Sequence, residues 1–183
     1  MANKIFITGP HSIDKLKIAK LLVEKDDSLS ICKKFTSDSS YKDITSEDYI
    51  YYLESQEIDL AYKNNVILFV NTENYISTGV SMDNYYNSDI CVLSIKDFNN
   101  ISNTVFQSKL NDILVIWIDS PIKENNSETR VDINESKYLL ERLNSGIKYL
   151  YFLSESDETI VDTIFEYLES DEERKAQILE ENS

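Results

Sequence analysis

The sequence is poor in residues that bend or brace a chain, with Gly 3, Pro 2, Cys 2 and His 1 among 183 residues. So few glycines and prolines exclude collagen-like, linker-rich and turn-repeat architectures. The two cysteines, Cys32 and Cys91, form neither a CxxC pair nor a disulfide framework, which suits a reduced, cytoplasmic setting. A single histidine, His11, leaves almost no material for a Ser-His-Asp triad or a histidine zinc site, and it reads as a polar loop residue. No signal-peptide core opens the chain and no apolar run approaches the ~20 residues that span a bilayer. The expectation is a soluble intracellular protein with no membrane contact.

What is present is enough apolar matter for one core: 42% hydrophobic and 11% aromatic residues. The formal charge of -15 argues against non-specific nucleic-acid binding, which needs a cationic surface to displace phosphate counterions. That charge is graded. Residues 1–42 carry eight Lys against five acidic residues, residues 43–153 eight basic against 17 acidic, and residues 154–183 two basic against 11 acidic. A phosphate-binding surface is therefore expected near the N-terminus. Many carboxylates are available for acid/base work, but no short motif singles out a pair.

Lys4–Thr8 reads as a buried strand stopped by Gly9-Pro10, and the apolar spacing from Leu16 to Val23 predicts a helix over 14–24. SLSICKKF is a strand candidate. Thr45-Ser46-Glu47-Asp48 supplies a helix-start signal for a helix running through Tyr49–Leu53 to about Tyr62. The unbroken runs VILFV (66–70), ICVLSI (90–95), ILVIWI (113–118) and KYLYFL (148–153) predict parallel strands covered on both faces. Helical patterns over 134–144 and 158–168 complete an α/β sheet with right-handed crossovers. The acidic end, residues 170–183, predicts a solvated helix that frays, with an acidic arm for a basic partner as the alternative. Trp117 reads as core. The tyrosine clusters at 49, 51 and 52, at 85 and 86, and at 149 and 151 read as strand and core-edge residues ahead of a base-stacking surface.

Between the first strand and helix stands Gly9-Pro10-His11-Ser12-Ile13-Asp14-Lys15-Leu16. Its register matches the phosphate-loop pattern GxxxxGK[ST] at Gly9 and Lys15. Asp14 replaces the second glycine and Leu16 the hydroxyl residue that ligates magnesium. The competing reading is an ordinary glycine turn ahead of a capped helix.

Downstream features, taken in order, resemble guanylate kinase and related nucleoside-monophosphate kinases over residues 1–169. ITGPHSIDKLKIAKLL is similar to that family's opening strand, loop and helix. VILFVNTENYISTGVS resembles the stretch that contacts the acceptor phosphate and base, with Tyr75, Ser77 and Thr78 at the matching positions. ICVLSIKD and ILVIWIDSP resemble the next two strands, and RVDINESKYLLERL places Arg130 and Arg142 at the family's lid and helix arginines. YLYFLSESDETIVDTIFEYL resembles the closing strand and helix. The resemblance implies a P-loop kinase-like α/β fold, mostly parallel, with a small acceptor-binding subdomain at about 33–88. It also implies a phosphate loop of Gly9, Ser12, Asp14 and Lys15, in which Lys15, Arg130 and Arg142 gather charge around a transferred phosphoryl group. Backbone N–H groups of residues 11–15 would add partial positive charge at the helix N-terminus.

The departures from the family bear on activity. A carboxylate at 14 opposes the donor β-phosphate, at a cost of roughly 1 to 4 kcal/mol near 4 Å. Leu16 offers magnesium nothing, with Ser12 or Asp14 as the substitute ligands. Ser94 and Lys96 stand where the family has acidic side chains, leaving Asp97 displaced. Lys33, Lys34 and Lys42 replace a bidentate arginine pair poorly.

Three readings of function stand at this point. The first is a catalytically degenerate guanylate-kinase-like protein with no assigned metal and weak or absent nucleotide binding, meeting a protein partner through the former acceptor cleft or the acidic C-terminal region. The second is an active kinase that uses ATP and Mg on a (deoxy)nucleoside monophosphate. The third is a structural subunit unrelated in function to kinases, in which Lys15, Arg130 and Arg142 do not converge.

Overall fold

The computed structural model describes residues 4–10, 13–43, 49–101, 113–119, 136–141, 143 and 146–182. In chain order the first half carries β1 (Lys4–Thr8), α1 (Lys15–Lys25), β2 (Lys34–Thr36), β3 (Ile50–Tyr52), α2 (Ser55–Lys63), β4 (Ile67–Glu73), β5 (Ile76–Ser81) and α3 (Met82–Tyr86). The second half carries β6 (Ile90–Val92), α4 (Ile95–Asn100), β7 (Ile113–Asp119), β8 (Lys148–Leu153), α5 (Asp157–Glu169) and α6 (Glu172–Glu181), with helical residues at 136–141 before β8.

Four strands, in the order β6-β1-β7-β8, form a wholly parallel sheet. Its central strands β1 and β7 are covered on both faces, as unbroken apolar runs require, while edge strand β8 buries only Leu150 and Phe152. Ile5, Ile7, Leu114, Ile116, Leu150 and Phe152 pack with α1, α5 and α6, while Phe6, Val115 and Trp117 pack with Phe98, Leu139 and Leu143. Trp117 is core, and meets Tyr151 edge-on at 4.9 Å between ring centroids.

The other four strands form a mixed sheet, ordered β3-β2-β5-β4, inserted between α1 and β6 in the chain. It corrects the expectation that VILFV joins the parallel sheet. β4 pairs antiparallel with β5. Of the five residues 66–70 only Phe69 is buried, so the run has one covered face instead of two. The Asn74-Tyr75 turn that follows, with φ of 48° and 67°, reverses the chain directly into β5.

Three further expectations are corrected. The second helix begins later than expected, because Ile50–Tyr52 pairs with β2 as strand β3 and a Glu54/Glu57 capping box starts α2. Thr45–Asp48 lie outside the described residues. SLSICKKF contributes only a bridge at Ile31 and the start of β2. ICVLSI stops being strand at Val92, since Ser94 caps α4 by accepting from Asp97 N.

The acidic end is a helix docked on the core by one side. Ile178 of α6 is 1% exposed within the core that α5 and β8 share. Asn182 O accepts from Tyr151 N at 2.6 Å, and Arg174 bridges to Glu166 at 2.6 Å. The few apolar residues of α6 thus suffice to dock it. No helix among the described residues is long and apolar enough to cross a membrane.

Candidate functional site

Ligands in open α/β sheets sit beyond the carboxyl ends of the parallel strands. Here that end of β1 and β6 faces the mixed sheet across a cleft of about 430 Å³. Lys15, Val92, Leu93, Ser94, Lys96 and Asp97 form one wall. The other comes from β2 and the β4–β5 hairpin, through Lys34, Asn71, Glu73, Asn74, Ile76 and Thr78.

Gly9 ends β1 with φ 155°, and a Cβ there would stand 2.1 Å from Ile118 O. The residue is glycine because β7 passes against it, whatever the loop binds. Lys15 opens α1 and is only 9% exposed. Its Nζ donates to Pro10 O at 2.7 Å and Ile13 O at 3.3 Å, so the ammonium is held under its own loop at the cleft wall.

Asp14 is the N-cap of α1. Its φ is -80°, an ordinary value, so the position does not use the positive-φ tolerance of aspartate. Its Oδ1 accepts from Lys17 N at 3.1 Å, which occupies one of the amides a helix N-terminus would offer an anion. The rest of the basic N-terminal stretch is partly engaged elsewhere. Lys17 pairs with Asp157 at 2.5 Å and Lys25 with Asp162 at 2.6 Å, both on α5. The Asp157 carboxylate beside Lys17 raises the pKa of that ammonium. The charge gradient along the chain is thus partly cancelled in space.

Asp97 joins the two walls. It accepts from Asn71 Nδ2 on β4 and from Ser94 N at 3.3 Å, and it lies 3.8 Å from Lys34 Nζ on β2. Asn100 Nδ2 donates to Asn71 Oδ1, and Lys96 pairs with Glu73. These contacts bring α4 against the mixed sheet through groups 23 to 63 positions apart in sequence.

Of the residues expected at the site, Lys15 and Thr78 line the same cleft. Ser77 lies on β5, where its hydroxyl meets Thr72 Oγ1 at 2.9 Å. Tyr75 stands at the hairpin tip, 99% exposed. Ser12, Arg130 and Arg142, with His11, lie outside the described residues. Sequence reasoning missed Asn71 and Glu73, and discounted Lys34 and Asp97. The signal for the first two was there: once Asn74-Tyr75 is read as a hairpin turn, Phe69, Asn71 and Glu73 alternate onto one face of β4.

A parallel sheet flanked by helices thus carries a mixed four-stranded sheet inserted after the first helix, with a cleft between the two. The guanylate kinase of Anaplasma phagocytophilum has a solved structure to which this chain is similar at a TM-score of 0.61 and 18% identity, over 91% of this chain and 84% of that one. The fold is therefore that of a guanylate kinase, as the order of motifs implied. No protein-family model matches the sequence, and no curated protein matches it.

Proposed function

We propose that this chain is a guanylate-kinase-like protein that has lost efficient phosphoryl transfer and works as a binding or assembly module. The observation that carries this reading is the capped start of α1. Asp14 presents a carboxylate where donor phosphates would approach, and it holds Lys17 N. Lys15 is turned onto loop carbonyls, and Leu16 has no side-chain oxygen for a metal. Asp97, one of two carboxylates lining the cleft, is already committed to Asn71, Ser94 and Lys34. Such a donor set fits a magnesium-bound triphosphate poorly, because charge cancellation at several phosphate oxygens is what the fold must supply.

In this reading the mixed sheet, within residues 33–88, is the former acceptor subdomain. The cleft between the sheets is the working surface, with the acidic region of 170–183 as a second contact for a protein partner. Lys34 and Lys96 pair there with Asp97 and Glu73, and Lys15 adds a third cation at the wall, in a chain whose overall charge is -15.

The second reading is a working nucleoside-monophosphate kinase, with Lys15, Arg130 and Arg142 at the transferred group and Tyr75, Ser77 and Thr78 at the acceptor. It is favoured by Lys15 and Thr78 sharing one cleft. A coupled assay for ADP over a panel of nucleoside monophosphates separates the two. The module reading expects no turnover above that of Lys15→Ala and ATP binding weaker than about millimolar, a free energy of roughly -4 kcal/mol. Turnover that Lys15→Ala abolishes overturns it.

A further inference from the structure

Cys32 and Cys91 are far apart in sequence and adjacent in space. Ile31 bridges to Ile90 in parallel, with Cys32 N donating to Ile90 O at 2.7 Å and Ile90 N to Ser30 O at 2.9 Å. The cysteines stand one residue further along each segment. Both belong to the core cluster that holds Phe6, and they are 4% and 1% exposed. The two thiols shift each other's ionisation, and the Cys32 thiol donates to Lys33 O at 3.8 Å. Neighbouring β segments run ~4.8 Å apart, inside the Cα separations of about 4.4 to 6.8 Å that a disulfide tolerates.

We propose that Cys32 and Cys91 are a redox modification site, a dithiol that a peroxide converts into an intramolecular disulfide. Cys32 comes just before β2 and Cys91 lies in β6, so the segment between them carries the whole mixed sheet. The bond would staple the neck of that sheet to the parallel sheet, whatever occupies the cleft.

The chemistry balances with hydrogen peroxide as oxidant. The Cys32 thiolate attacks one peroxide oxygen, the O–O bond breaks, and hydroxide leaves to take the thiol proton as water. The Cys91 sulfur then attacks the Cys32 sulfenic acid, the S–O bond breaks, and a second water leaves. Two thiols are oxidised to a disulfide and one peroxide is reduced to two waters. The division of roles follows the surroundings. The neighbouring Cys91 thiol lowers the pKa of Cys32, with Lys4 and Lys34 acting the same way, while the Cys32 thiol and burial raise the pKa of Cys91.

The test uses the full folded chain. It is treated with excess hydrogen peroxide, blocked with N-ethylmaleimide in denaturant and weighed intact. Because these are its only two cysteines, an intramolecular bond can only join Cys32 to Cys91. The expected result is a monomer lighter by two hydrogens, ~2 Da, apart from any oxygen on its methionines, with no maleimide adduct and two adducts restored by dithiothreitol. Two adducts retained after peroxide, oxygen gained on Cys32 or Cys91 as located by peptide mapping, or a disulfide-linked dimer overturns the proposal. In Cys91→Ser the reaction should stop at a Cys32 sulfenic acid that dimedone traps; if that variant does not fold, the parent's mass decides alone.

Discussion

Replacing Asp14 by Asn removes one charge from the start of α1 and leaves its shape. Asn caps a helix as well as Asp does, so the bond to Lys17 N at 3.1 Å has a neutral counterpart. The folded state should lose only the helix-dipole contribution, about 0.3 to 1 kcal/mol. The gain lies in anion binding. A carboxylate near 4 Å from a phosphate charge costs about 1 kcal/mol in bulk water and about 4 at an effective dielectric of 20. Asp14 is exposed, so the lower end governs and the gain should be about 1 to 2 kcal/mol, or roughly five- to thirtyfold in affinity. Calorimetric titration of ATP with magnesium into parent and Asp14→Asn, at low salt and at about 1 M salt, measures it. The difference should shrink in high salt, where the screening length falls to about 3 Å. Equal affinities at low salt, or a gain that ignores salt, would show that this carboxylate does not oppose triphosphate. Asp14→Gly, which adds back the glycine of the pattern, should gain at least as much.

Three further outcomes are expected. Gly9→Ala forces a Cβ to within 2.1 Å of Ile118 O at φ 155°, and should cost roughly 2 to 4 kcal/mol in urea unfolding; a change under about 0.5 would mean that β7 yields freely. Ile178→Ala should cost about 2 to 4 kcal/mol and expose α6 to proteolysis, whereas a solvated, fraying helix would lose almost nothing. Burial pushes the Tyr85 hydroxyl from 10.0 up to about 12, so its contribution to stability is complete below pH 10 and is lost as pH rises towards 12. Tyr85→Phe should flatten that part of the alkaline unfolding profile, and an unchanged profile would refute the assignment.

The sequence by itself determined the parallel sheet and the helices on it. Ile5, Phe6 and Ile7, like Leu114, Val115 and Ile116, sit in unbroken apolar runs, and such runs are stable only where both faces are covered. Gly9 and Lys15 were legible because a strand, a tight turn and a helix start follow one another within a few residues. Tertiary structure alone decided the rest. VILFV has the composition of a central strand, but its single covered face and the Asn74-Tyr75 reversal assign it to the mixed sheet. The docking of α6 was hidden because Ile178 and Leu179 are its main apolar side chains in an otherwise charged stretch, and only the surface of α5 and β8 gives them a place to pack. The cleft pairs Asp97 with Asn71 and Lys34, and the bridge at Ile31 brings Cys32 to Cys91. Partners so distant in sequence leave no local pattern, since what joins them is the closure of the chain on itself.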